Sequence, residues 1–102
     1  MPLPQVVSAV CYLAQVGVVH CDIKDENVMV SPELRVTLLD FGSAVVEDGK
    51  PGREFRGSES FASPEVAARL ASGNLVYCFR AQEVWALGVS IHLCTLHFVT
   101  AL

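Results

Sequence analysis

Residues 20–42 read His-Cys-Asp-Ile-Lys-Asp-Glu-Asn-Val-Met-Val-Ser-Pro-Glu-Leu-Arg-Val-Thr-Leu-Leu-Asp-Phe-Gly. The stretch opens on a loop too polar and too crowded with carboxylates to be core. An apolar run at residues 28–30 follows, then the turn signal Ser31-Pro32-Glu33 and a second apolar run, residues 36–39, that ends in Asp40-Phe41-Gly42. Two β-branched or aliphatic runs around a turn predict a small antiparallel pair of strands. Asp22, Lys24, Asn27 and Asp40 then form a dense group of ionisable and amide side chains at the mouth of that pair. Such a group suits phosphate and metal chemistry, because a hard cation such as Mg²⁺ takes oxygen ligands and only a few of them from protein. Asp40, closing one strand, and Asn27, opening its partner, are placed to offer two oxygens from fixed backbone. Asp22, across the loop from Asn27, is placed to accept a hydroxyl proton, and Lys24 to pair with Asp22 or with a phosphate. Gly42 is expected to let the backbone turn sharply after Asp40. The competing reading of Asp22, Asn27 and Asp40 is a set of turn residues and caps, and that of Lys24 a solvated charge.

Outward from this stretch, residues 2–17 carry apolar side chains at Val6, Val7, Val10, Leu13, Ala14 and Val16. That spacing predicts a helix with an apolar stripe, with Pro near its start and Gly17 at its end. Val18-Val19 reads as a short buried extended piece. Residues 41–57 change character, with Gly42, Gly49, Pro51 and Gly52 among mixed charges, and read as a long mobile loop of the kind that carries function. Lys50, Arg53 and Arg56 read as a solvated face of that loop, with an acidic or phosphorylated partner as the alternative. Ser63-Pro64-Glu65 supplies an N-cap, a first-position proline and a first-turn acid for a second helix, which Ser72-Gly73-Asn74 stops. Residues 75–80 have no clear assignment. From Ala81 an apolar helix runs on, expected to be buried on all sides, with Trp85 in the core and His92 and His97 as packing residues. The fold class is therefore mainly α with a small antiparallel β pair.

The 102 residues allow one domain at most, and 52 % hydrophobic against 18 % charged residues is an apolar balance for a free-standing small domain. Surface normally covered by another element is the expected reason. A net charge of −4 with no basic stripe argues against a nucleic-acid partner. Cys11, Cys21, Cys78 and Cys94 show no paired spacing and no secretory segment precedes them, which points to free thiols in a reducing cytoplasm. Cys94 and His97 make only half of a zinc ligand set. Residues 84–102 carry no formal charge and approach the length of a membrane span. Against that reading stand His92, His97, several hydroxyl residues and the lack of a following Lys or Arg.

Residues 20–27, His-Cys-Asp-Ile-Lys-Asp-Glu-Asn, resemble the protein-kinase catalytic loop His-Arg-Asp-Leu-Lys-x-x-Asn, and Asp40-Phe41-Gly42 resembles that family's Asp-Phe-Gly. Gly57-Ser58, Phe61 and Ser63-Pro64-Glu65 are similar to the end of the kinase activation segment. Glu83-Val84-Trp85-Ala86-Leu87-Gly88 is similar to the Asp-Val-Trp-Ser-Leu-Gly that opens the central kinase helix. Four motifs in order cover most of the chain, residues 3–100, and the wording is most similar to the PIM and PAS-domain serine/threonine kinases.

The resemblance implies an ATP-dependent transfer of a γ-phosphate to protein Ser or Thr hydroxyls, with Mg²⁺. Asp22 would be the catalytic base and Lys24 the phosphate-side cation. Glu26, Asn27, Met29 and Asp40 would face the nucleotide, with Asn27 and Asp40 as the metal ligands and Met29 under the adenine ring. Phe41, Gly42, Ser58 and Glu65 would belong to the activation segment, Ser58 bonding near the base and lysine, and His20 and Phe41 to the hydrophobic spine. Three departures stand out. Cys21 replaces the Arg that clamps a phosphorylated loop, Ser63 stands for Ala, and Glu83 replaces the Asp that braces the catalytic loop, where one extra methylene is expected to misplace Asp22. Glu65 lacks the later Arg with which it pairs in the family. No Gly-rich loop, strand lysine or helix glutamate lies within the 102 residues, so the resemblance implies a partial kinase domain, a large lobe expected to need the missing small lobe or its equivalent as partner and to be inactive alone. A non-catalytic, pseudokinase-like binding piece is the alternative.

Overall fold

The computed structural model describes residues 2–100, apart from the side chains of His97 and Phe98. The expected packing role of His97, and its half-share in a zinc set, lie outside the described residues. Helix α1 spans Leu3–Gln15 and buries Val6 and Val10. Its stripe is narrower than the spacing suggests, since Val7 and Val16 are exposed. Gly17 ends it at a φ of 77°, a left-handed conformation that glycine adopts without a Cβ clash.

Four short strands follow: β1 Val18–Val19, β2 Val28–Val30, β3 Val36–Leu38 and β4 Val45–Val46. The expected pair is present, antiparallel, with Val28 opposite Leu38, Met29 opposite Thr37 and Val30 opposite Val36. A second antiparallel pair was not expected: Val18 lies opposite Val46 and Val19 opposite Val45. It places β4 inside the stretch read as one mobile loop. That stretch is pinned again at Gly52, whose N–H donates to the Tyr77 carbonyl at 2.7 Å and whose carbonyl accepts from the Tyr77 N–H at 2.9 Å. A Cβ on Gly52 would come within 2.8 Å of the Tyr77 and Phe79 rings, so only glycine fits there. The same bridge gives the unassigned connector its role.

Helix α2 spans Pro64–Ala71, and Ser63 caps it by accepting from the Val66 N–H at 3.4 Å. Helix α3 spans Phe79–Thr100, starting two residues before Ala81. The core joins Val10 of α1, Ile23 of the polar loop and Ala86 of α3, with Leu38, Phe61 and Leu87 packed against them. Burial of α3 on all sides is not what is seen. Its inward face is Gln82, Glu83, Ala86 and Ser90, whereas Val84 is 62 % and Trp85 43 % exposed, and His92 is exposed. Trp85 is thus not a core residue in this chain, nor His92 a packing one. The buried side of this helix is largely polar and the open side apolar, the reverse of the usual amphipathic helix. Every buried polar atom among the described side chains is nonetheless satisfied. No helix among the described residues is long and apolar enough to cross a membrane.

Candidate active site

The polar loop leaves β1 through His20 and Cys21, both held by one buried carboxylate. Glu83, 2 % exposed on α3, accepts from the His20 N–H at 3.0 Å with Oε2 and from the Cys21 N–H at 2.8 Å with Oε1. The extra methylene of Glu83 therefore does not prevent the brace: the carboxylate reaches both amides. Cys21 itself sits at a φ of 73°, a conformation costly for a side chain other than glycine. Next to it, the Asp22 N–H donates to His20 Nδ1 at 3.1 Å, and His20 Nε2 lies 2.8 Å from the Leu39 carbonyl. Nδ1 must accept and Nε2 must donate, which assigns the neutral Nε2–H tautomer. His20 is fully buried and meets the Phe41 ring edge-on at 4.7 Å. One imidazole thus ties the loop to the end of the β2–β3 pair.

Ser58 completes the centre. Lys24 Nζ donates to Ser58 Oγ at 2.8 Å, and Ser58 Oγ donates to Asp22 Oδ1 at 2.9 Å. Lys24 Nζ lies 3.8 Å from Asp22 Oδ2 and 3.7 Å from Glu26 Oε2. Asn27, buried at the end of a 3₁₀ turn over Asp25–Asn27, donates from Nδ2 to the Asp22 carbonyl at 2.8 Å and to Asp22 Oδ2 at 3.2 Å. Asp22, Lys24, Asn27 and Ser58 are therefore one network, with a carboxylate that keeps both oxygens oriented and an ammonium within reach of the same space.

Asp40 is brought to the same end of the molecule because the Leu39 N–H donates to the Asn27 carbonyl at 2.8 Å. The sharp turn expected at Gly42 is located elsewhere: Asp40 carries the positive φ, 57°, and Gly42 lies outside the left-handed region. Gly42 matters for space, since a Cβ there would stand 3.0 Å from Asp40 Oδ1, which accepts from the Gly42 N–H at 3.1 Å. The remaining donor set suits a hard cation. Both hydrogens of Asn27 Nδ2 are used, and among the described residues no donor meets Asn27 Oδ1 or Asp40 Oδ2. One amide oxygen and one carboxylate are what Mg²⁺ takes from protein when phosphates and water supply the rest. No cluster of three or more His, Cys, Asp or Glu that could hold a metal occurs among the described residues. Met29 is 53 % exposed on β2, and Glu26 is exposed beside Lys24.

The segment after Gly42 closes over Cys21. Gly57 has a φ of 109°, and a Cβ on it would fall within 2.1 Å of the Cys21 carbonyl oxygen. That approach delivers Ser58 to Asp22. Burial, with the Glu83 carboxylate next, pushes the Cys21 thiol up to about 11, and its Sγ donates to the Val19 carbonyl at 3.6 Å. Where the family has a cationic clamp this chain has a neutral thiol. Glu65 is exposed in the first turn of α2 and makes no ion pair among the described residues.

Two positioning residues escape a reading of the sequence. Gln82 accepts from the Ser63 N–H at 2.9 Å and donates to the Phe61 carbonyl at 2.7 Å, fixing the entry to α2. Arg80 forms a two-pronged pair with Glu47, Nη2 to Oε2 at 2.7 Å and Nε to Oε1 at 3.1 Å. Their only sequence signal was proximity to the Glu83 motif, because their partners are about 20 and 33 residues away.

The family model for the protein kinase domain matches residues 2–99. Serine/threonine-protein kinase PSK2 of Saccharomyces cerevisiae is 42 % identical over 88 residues, 86 % of this chain and 8 % of that protein. The PAS domain-containing serine/threonine-protein kinase of Mus musculus is 42 % identical over 89 residues, 86 % of this chain and 6 % of that protein. The 3-phosphoinositide-dependent protein kinase 1 of Rattus norvegicus is 33 % identical over 92 residues, 86 % of this chain and 15 % of that protein. The chain spans less than a tenth of the length of the first two relatives.

Proposed function

The chain belongs to the protein kinase domain family, and on that premise we propose that it carries the catalytic-loop half of an ATP-dependent serine/threonine protein kinase. One observation carries the reading: a single hydroxyl, Ser58 Oγ, is shared between Asp22 Oδ1 and Lys24 Nζ at 2.9 and 2.8 Å. A carboxylate and an ammonium that hold one serine oxygen between them are spaced to hold a substrate hydroxyl beside a transferring phosphate. Asp22 accepts the hydroxyl proton, oriented by the Asn27 side-chain amide and by the His20 ring behind its own N–H. Lys24 places positive charge where the phosphoryl oxygens gather it. Asn27 Oδ1 and Asp40 Oδ2 are the oxygens that would hold Mg²⁺, which would supply positive charge to the ATP phosphates. Glu26 and Met29 line the nucleotide side, Met29 beneath the base. Phe41 packs on His20 and, with Gly42, Ser58 and Glu65, belongs to the segment that receives the protein substrate.

The domain is read as partial, with the small lobe or an equivalent as the partner that covers ATP, and the four free cysteines suit a reducing cytoplasm. The second reading is a non-catalytic, pseudokinase-like binding piece. Of the two departures behind it only Cys21 remains, because Glu83 holds the loop backbone.

Two measurements test the proposal. Mn²⁺ added alone to ¹⁵N-labelled chain is expected to broaden the Asn27 side-chain amide and the Asp40 amide, and Asp40→Ala is expected to abolish the effect. With a nucleotide-covering lobe restored, Ser/Thr peptide phosphorylation is expected, and Asp22→Asn should lower it by about 10²–10⁴-fold. Turnover that survives Asp22→Asn refutes the assignment of the base; no turnover, with metal bound, leaves the binding piece.

A further inference from the structure

Three points on the segment that leads through β1 to Asp22 are gripped from the first turns of α3. Glu83 takes the His20 and Cys21 N–H groups. One turn earlier on the same helix, Arg80 Nη1 donates to the Val18 carbonyl at 3.4 Å. The rest of the Arg80 guanidinium is committed to Glu47, through Nη2 at 2.7 Å and Nε at 3.1 Å. Glu47 follows β4 directly, and its own N–H donates to the Gly17 carbonyl at 2.8 Å, immediately before β1. One planar cation therefore joins β1, β4 and α3 at a single node.

We propose that Arg80 and Glu47 are a positioning pair that locks β4, the first ordered piece after Asp40-Phe41-Gly42, onto the strand leading to Asp22. The proposal rests on the reading of Asp22, Asn27 and Asp40 as the phosphoryl-transfer site, and adds two residues to it. The pair is not an ordinary surface ion pair. Its side chains are 25 % and 39 % exposed, but the contact is a fork with two bonds to one carboxylate and a third to a backbone carbonyl. Its need is clear from the strands themselves. β1 and β4 are two residues each, too short to hold register by backbone pairing alone. Val19 anchors β1 in the core, but β4 has no buried valine, since Val46 is 76 % exposed and Val45 half-buried. Lys does not replace Arg80, because one ammonium cannot hold both carboxylate oxygens and the Val18 carbonyl in a fixed plane.

The test uses the 102-residue chain with four variants: Arg80→Met, Arg80→Lys, Glu47→Gln and the exchanged pair Glu47→Arg with Arg80→Glu. Amide hydrogen exchange reads the node, and Mn²⁺ added alone reads the site. Arg80→Met and Glu47→Gln are each expected to speed exchange at the Glu47 amide about tenfold, with Arg80→Lys between them and the unmodified chain. Exchange at the Leu39 amide and within α2 should stay unchanged, and the Mn²⁺ concentration that half-broadens Asp40 should rise about threefold. The exchanged pair is expected to restore both in part, because the ion pair is regained while a carboxylate at position 80 cannot donate to the Val18 carbonyl. Where Arg80→Met folds poorly, Glu47→Gln serves, because it keeps the shape and removes only the charge. Exchange that rises equally at Leu39 and in α2 overturns the proposal in favour of a general loss of stability. Unchanged exchange at Glu47, or no recovery in the exchanged pair, also overturns it. Mn²⁺ that broadens neither Asn27 nor Asp40 in the unmodified chain removes the phosphoryl-transfer reading instead, and the exchange result still decides the lock.

Discussion

Replacement of Glu83 is expected to be the most damaging single change to the catalytic loop. Its carboxylate is 2 % exposed and accepts from the N–H groups of His20 at 3.0 Å and Cys21 at 2.8 Å. Glu83→Ala leaves one buried and one part-buried donor without partners, at about 1–3 kcal/mol each, so the loss should total about 2–6 kcal/mol at most. That is a large part of the roughly 5–15 kcal/mol available to a domain. Glu83→Gln keeps one acceptor oxygen but turns an NH₂ toward the other N–H, and should lose about half as much. Glu83→Asp keeps both acceptors but withdraws them by a methylene, so it too should fall between the parent and Ala. Urea unfolding followed by circular dichroism gives the order, and hydrogen exchange at the His20 and Cys21 amides locates it. A loss below about 1 kcal/mol for Glu83→Ala would show that water or a shifted loop satisfies those amides, and would refute the brace.

Gly57→Ala is expected to destabilise by more than the roughly 1–3 kcal/mol of a positive-φ side chain, because its Cβ also meets the Cys21 carbonyl at 2.1 Å; a neutral urea midpoint would sink this. With its thiol raised to about 11 from 9.0, Cys21 should react about tenfold more slowly at pH 8 than the exposed Cys11 and Cys78, the smaller thiolate fraction being partly offset by greater nucleophilicity. The same shift fixes a stability window. The folded pKa lies above the unfolded one, so the contribution is complete below about pH 9 and is lost as pH rises to about 11. Cys21→Ala should remove that component, leaving the one from Tyr77, which burial also raises. Trp85→Lys, at a 43 % exposed position, should change stability by less than about 0.5 kcal/mol in urea unfolding; a fall of several kcal/mol would mean that Trp85 is packed.

The polar loop was legible as a candidate site because its residues are close together in the chain. Asp22, Lys24 and Asn27 lie within six residues, and the β2–β3 pair that brings Asp40 beside them closes through a short turn. Turn residues and alternating apolar runs encode such a hairpin in the sequence itself. The caps at Gly17 and Ser63 were legible for the same reason. What escaped were contacts made at long range by residues with no pattern of their own. Two-residue strands have no periodicity to detect, so the β1–β4 pair could not be seen in residues 41–57.

Helix α3 gives the sharpest contrast. Composition alone made it a fully buried helix, yet its buried face is Gln82, Glu83 and Ser90 around Ala86, each polar group answered by backbone from another part of the chain. A carboxylate or amide is buried only where donors and acceptors await it, and those partners are set by folding. The sequence by itself carried the resemblance to the family and the two-strand hairpin, and it singled out Asp22, Lys24, Asn27 and Asp40 as candidates, because motif residues and turn signals lie close together along the chain. The family resemblance already implied that Ser58 bonds near Asp22 and Lys24, and the structure supplies the distances; only the tertiary structure decided that Glu83 reaches the loop despite its extra methylene and that Arg80 meets Glu47. Each of those contacts closes more than 30 residues of chain: the packing of α3 brings Glu83 to the loop and Arg80 to Glu47, and the close approach of Gly57 to Cys21 brings Ser58 to Asp22 and Lys24.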